Sequence, residues 1–91
     1  MKVVDETKVW ALEIAIGENP DETEAQVLLR VGDREMAGAG RARRHPHDPE
    51  RPRIGEELAV ARALSELSHR LLDAAATEIE AFEGHEIHLD H

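Results

Sequence analysis

The dipeptide Gly32-Asp33 lies between two stretches of alternating residues, and it constrains the fold more than any other feature of the chain. Alternation with period two marks a strand with one buried face. From Thr23 onward, Ala25, Val27, Leu29 and Val31 lie on one face, and Glu24, Gln26, Leu28 and Arg30 on the other. Glycine at a positive φ makes Gly32-Asp33 a two-residue hairpin turn of type II′ or I′. Opposed residue numbers across that turn must sum to 65. On the inner side Leu29 then faces Met36, Val27 faces Gly38 and Ala25 faces Gly40. On the outer side Arg30 faces Glu35 and Glu24 faces Arg41, each an opposite-charge pair. Neither apolar sidedness nor charge entered the choice of turn, so their agreement supports the register. Gly38, Gly40 and Ala42 leave the inner face of the third strand almost bare, which invites the close approach of a helix.

The same periodicity organises the rest of the chain. Trp10, Leu12, Ile14 and Ile16 point one way within residues 8–16, and Gly17-Glu18-Asn19-Pro20-Asp21 supplies turn formers after them. Strands are therefore expected at 8–16, 23–31 and 34–43, within a sheet region of 8–44 that follows an N-terminal arm of 1–7. Pro46, Pro49 and Pro52 stiffen a loop at 45–55. Helical spacing follows over 56–83, with Val60, Leu64, Leu67, Leu71, Ala74, Ala75 and Phe82 on one face. Gly55 is the expected N-cap and Gly84 the expected C′ residue. Thr77-Glu78-Ile79-Glu80 matches a capping box, which offers a break near Ala76, but one continuous helix is the favoured reading. The expected fold is α+β: a three-stranded antiparallel sheet packed on one long C-terminal helix. That helix is expected to cover the face bearing Trp10, Leu12, Ile14, Val27 and Leu29, with Leu64 in the core and 84–91 as a tail.

Ninety-one residues make one domain, with little room for an enclosed cleft. Eleven Lys and Arg against twenty Asp and Glu give a formal charge of −9, which repels phosphate backbones and anionic lipid. With no cysteine, disulfides, thiolate chemistry and Cys-based zinc sites are excluded. The start MKVVDETK has no apolar leader core, and no apolar run approaches a membrane span, so a cytoplasmic, soluble protein is expected.

The text HPHDPERPRIGEELAVARALSELSHRLLDAAATEIEA, after a strand that opens on Trp10 and a third strand with Gly38 and Gly40, resembles the actinobacterial DUF1876 family. The matching positions are Trp10, Gly38, Gly40, Asp48, Pro49, Ile54 to Leu64, and Glu78 to Glu80, and the resemblance covers nearly the whole chain. It implies a fold like that of double-stranded-RNA-binding domains and brings no established activity. RNA-binding members of that wider fold group use lysines at the start of the last helix, where this chain has Gly55-Glu56-Glu57. Those carboxylates would repel phosphate, so nucleic acid is not an expected partner.

Candidate sites are few. Ser65, His69 and Asp73 share a helical stripe at catalytic residue types, but a solvated helix face supplies no oxyanion hole. His85, His88 and His91 could wrap a metal ion, or serve as the cations that offset the negative helix end. His45 and His47 flank Pro46 in an exposed loop. Arg41, Arg43, Arg44, Arg51 and Arg53 form a basic segment that could bind an anion or pair with carboxylates. Trp10 and Phe82, the only aromatics, are expected in the core. The outer sheet face has an apolar centre of Val9, Ala11, Leu28, Ala37 and Ala39 with a charged rim, which marks an association surface. The expectation is a non-enzymatic interaction module without a cofactor, self-associating as a homodimer through the open sheet face or the overhanging helix end, or meeting a protein partner; binding of an anion or nucleic-acid phosphate through the arginines is the alternative.

Overall fold

The computed structural model describes residues 6–44 and 51–83. It contains β1 (Ala11–Glu18), β2 (Glu22–Val31), β3 (Arg34–Arg43) and α1 (Pro52–Glu83), with the antiparallel sheet ordered β1-β2-β3. The β2–β3 register is the expected one, with Leu29 opposite Met36, Val27 opposite Gly38 and Ala25 opposite Gly40. Gly32 has φ 63°, and among the described residues, Asp33 included, no non-glycine has a positive φ, so the turn is type II′.

The β1–β2 connection is tighter than the run of turn formers suggested. Gly17 and Glu18 belong to the strand, paired with Glu24 and Thr23. The turn itself is closed by the Asn19 amide donating to the Glu22 carbonyl at 3.0 Å. The Asn19 side-chain oxygen accepts from the amides of Asp21 and Glu22 at 2.9 and 3.0 Å, so one asparagine and Pro20 suffice to reverse the chain. At its other end β1 starts at Ala11 rather than residue 8.

The helix begins at Pro52, four residues before the expected start at 56, so the loop is shorter than 45–55. Proline at the first helical position loses no hydrogen bond and pre-sets φ. Gly55 is therefore inside the first turn and is not the N-cap. A Cβ on Gly55 would lie 2.8 Å from the Thr23 hydroxyl, so glycine serves there for close approach to the sheet. The helix runs through Ala76 without a break, since no glycine or proline interrupts its ladder there. Gly84, the histidine tail, His45 and His47 lie outside the described residues.

α1 lies over β2 and β3, seated on the bare glycine stripe. Any Cβ on Gly40 would collide with the Ala59 carbonyl and Ala63 amide, and one on Gly38 with the Ala63 carbonyl. The core is correspondingly small-sided: Ala25, Val27, Leu29, Ala42, Ala59, Ala63 and Leu67, with Val31, Met36, Val60 and Leu71 packed around it.

Expectations for the large apolar residues need correction. Trp10, Leu12, Ile14 and Ile16 are 43–53% exposed, Leu64 is 37% exposed and Phe82 is 91% exposed. A helix about 10 Å wide spans two strands spaced about 4.8 Å apart and leaves a third uncovered. Because the glycines draw the helix toward β3, the strand left out is β1. Phe82 is exposed for a different reason: 32 helical residues run about 48 Å, past a ten-residue strand of about 33 Å.

Candidate functional site

Three features of the surface bear chemistry or binding potential: the uncovered β1 face, the two sheet edges, and a cleft at the helix start. The β1 face follows directly from the packing. Leu12, Ile14 and Ile16 stand on the helix side of the sheet, beside a helix that has turned toward β3. Arg62 and Glu66 reach the β3 edge, so the opposite helix flank, carrying Val60 and Leu64, looks toward β1. The result is an apolar trough walled by β1 on one side and that flank on the other.

The two sheet edges differ. On β3, the Arg62 guanidinium donates to the Arg41 carbonyl at 2.6 Å, and the Ala39 amide donates to a Glu66 carboxylate oxygen at 3.3 Å. Glu66 is held in turn by Arg70 at 2.7 Å. Helix side chains thus satisfy backbone groups that an edge strand would otherwise present to other chains. The sheet order gives β1 one neighbour, β2, and leaves its other edge open among the described residues. Helical spacing sets Arg62 and Glu66 on the polar face opposite the apolar one, whereas both in fact reach the β3 backbone. On a helical wheel they fall one turn apart beside the Ala59–Ala63 stripe, a signal readable only once that stripe is known to face β3.

The cleft, of about 320 Å³, lies between the β1–β2 turn, the end of β3 and the start of α1. Arg43, Arg44 and Arg51 line it together with Glu18 and Glu22, and Ile54 and Leu58 add apolar wall. Arg41 is instead drawn to Glu24 at 3.3 Å on the outer sheet face, and Arg53 does not line the cleft, so the five arginines do not converge. At the cleft rim a hydrogen bond that the protonated Glu18 carboxyl donates to Glu56 raises Glu18 above its ordinary value, with desolvation and the Glu56 charge acting in the same direction.

The remaining candidates are dispersed. His69 Nδ1 contacts the Ser65 backbone carbonyl at 2.8 Å, a contact within the helix rather than with the serine hydroxyl. The outer sheet face exposes Val9, Ala11, Ala37 and Ala39, while Leu28 is half-buried. Its rim is tied by Arg30 to Glu13 at 3.6 Å and to Glu35 at 3.7 Å. Among the described residues no group of three or more His, Asp or Glu is placed to hold a metal ion, and no helix is long and apolar enough to cross a membrane.

Comparison with known proteins places this arrangement. An uncharacterized protein of Mycobacterium tuberculosis, MT1780, is 44% identical over 72 residues, covering 79% of this chain and 77% of the relative. Uncharacterized protein Rv2632c of the same species is 39% identical over 74 residues, covering 81% and 80%. The crystal structure of Rv2632c superposes with a TM-score of 0.81 at 36% identity, over 88% of this chain and 95% of that one. These uncharacterized mycobacterial relatives agree with a family of small actinobacterial proteins that carries no established activity. A model described as Rv2632c-like matches residues 8–88, and the chain belongs to the Rv2632c-like family.

Proposed function

We propose that this protein is a non-enzymatic interaction module that self-associates through the apolar trough beside β1. The observation that carries the reading is the half-exposure of Leu12, Ile14 and Ile16 in one row on the helix side of β1, with Trp10, just before the strand, half-exposed as well. Alternation along β1 and the apolar flank of α1 are both patterned for burial, yet the single chain buries neither fully. A contiguous apolar surface of this kind on a small domain is an association signature. The outer sheet face offers smaller side chains and is the weaker surface, since alanines release little free energy on leaving water.

Sedimentation velocity at several micromolar tests the reading. The wild type is expected to sediment as a dimer, and Leu12→Glu or Ile16→Glu to return it to monomer mass while circular dichroism stays folded. A wild-type monomer would overturn self-association. Dissociation by Leu28→Lys and Ala37→Glu, with Leu12→Glu and Ile16→Glu still dimeric, would move the interface to the outer face.

The second reading, anion capture, rests on the cleft at the helix start. Arg43, Arg44 and Arg51 exceed Glu18 and Glu22 by one charge there. Titration calorimetry with inorganic phosphate separates it from association: capture weakens steeply with salt, whereas apolar association persists.

A further inference from the structure

We infer that two copies join by antiparallel pairing of their β1 edges, with Ile14 on the two-fold axis, to form one six-stranded sheet. This rests on the reading of the β1 trough as a self-association surface and specifies how that surface is used. The first support is the asymmetry of the edges. β3 is closed by Arg62 and Glu66, whereas β1 offers an edge that is open among the described residues and carries no proline to disrupt it.

The second support is the hydrogen-bonding parity. A two-residue turn makes Val31 and Arg34 a hydrogen-bonded pair, so on β3 the odd-numbered residues point outward. The outward contacts of the Ala39 amide and Arg41 carbonyl agree. The same alternation carried across β2 directs the backbone groups of Glu13 and Ala15 toward β2, and the bond from Asn19 to Glu22 obeys it. The amides and carbonyls of Leu12, Ile14 and Ile16 therefore face the open edge.

The third support is charge and apolar matching. A two-fold axis normal to the sheet requires opposed residue numbers with an even sum. A sum of 26 sets Glu13 against Glu13, and a sum of 30 sets Glu18 against Leu12 on the apolar side. A sum of 28 sets Ile14 against Ile14, Leu12 against Ile16 and Glu13 against Ala15, with no like charges opposed, and moves Glu18 to the end of the paired segment, opposite Trp10, which precedes β1. In that register the two apolar rows merge into one cluster flanked by both helices. Four half-exposed side chains at on the order of 90 Å² each bring roughly 700 Å² from the two copies before any backbone is counted, close to the ~1,000 Å² a specific interface needs.

Residue-resolved amide exchange of the full chain, combined with sedimentation, tests the pairing. In a monomer the Leu12, Ile14 and Ile16 amides face water. In the proposed dimer they are expected to exchange about a hundredfold more slowly, and to lose that protection on dilution to monomer. A dimer whose Leu12, Ile14 and Ile16 amides exchange freely would overturn edge pairing while leaving self-association through the trough intact; a monomer would overturn both. Ile14→Pro supplies a second arm, because an edge strand tolerates proline where the lost amide faces outward. It is expected to sediment as a folded monomer, and a folded Ile14→Pro dimer would also overturn the pairing.

Discussion

Gly40 is the residue whose role is most sharply defined. Its place is filled by the backbone of Ala59 and Ala63, which cannot swing aside as a flexible side chain would. Gly40→Ala is expected to destabilise the fold by about 1–3 kcal/mol through overpacking, or more if the helix lifts from the sheet. Gly17 is the control, since a Cβ there would meet nothing within 4 Å, and Gly17→Ala should be neutral or stabilising by about 0.5–1 kcal/mol. Urea titration of the two variants measures the contrast. The same scale separates two leucines on one helix. Leu67, 4% exposed, should cost about 2–5 kcal/mol as alanine, whereas the more exposed Leu64 should cost clearly less. Equal losses in denaturant titration would show that Leu64 is buried in solution, as a partner copy would make it.

At the scale of elements, Glu56 near the start of α1 raises the carboxyl of Glu18 at the end of β1 above its ordinary value, through hydrogen bonding first, then desolvation and charge. A raised carboxyl value means the folded state binds that proton more tightly than the unfolded chain. The stabilisation is therefore complete below the usual carboxylate range and is lost as pH rises through the raised Glu18 value. Glu56→Gln is expected to bring Glu18 back down toward its ordinary value, as read by carbon-detected NMR titration, without loss of stability at pH 7. A second element-scale consequence concerns the β3 edge. Glu66→Ala leaves the Ala39 amide without that acceptor and should cost about 0.5–1.5 kcal/mol in thermal or urea unfolding.

For the whole molecule, we propose a protein rather than a nucleic-acid partner. Net charge is −9, and it is this overall charge that disfavours phosphate, because the first turn of α1 carries Arg53 and no acidic residue, with Glu56 and Glu57 following in the second turn. Fluorescence anisotropy at physiological salt is expected to show no appreciable binding to duplex RNA. Micromolar affinity abolished by Arg43→Glu would instead direct attention to the arginine cleft. Trp10, half-exposed in the single chain, reports on the trough without any label. Its emission should shift to the blue and iodide quenching should fall as concentration rises through the association range.

Local chemistry alone determined much of this molecule. Gly32-Asp33 set the hairpin and its register, because a two-residue turn leaves no freedom in pairing and each slip would reverse every side chain. The bare stripe of Gly38 and Gly40 foretold a helix in close contact for the same local reason. What only the tertiary structure decided is where that helix lies. Periodicity identifies a buried face by its large apolar residues, and on that basis Leu64, Phe82 and the β1 row belong to the core. Close packing instead selected Ala59 and Ala63, whose small side chains let backbone meet backbone across the glycines. Once the helix was committed to β2 and β3, its width left β1 uncovered, and Arg62 and Glu66 came to rest on the opposite edge. Neither consequence is local: both depend on how far one helix reaches across three strands.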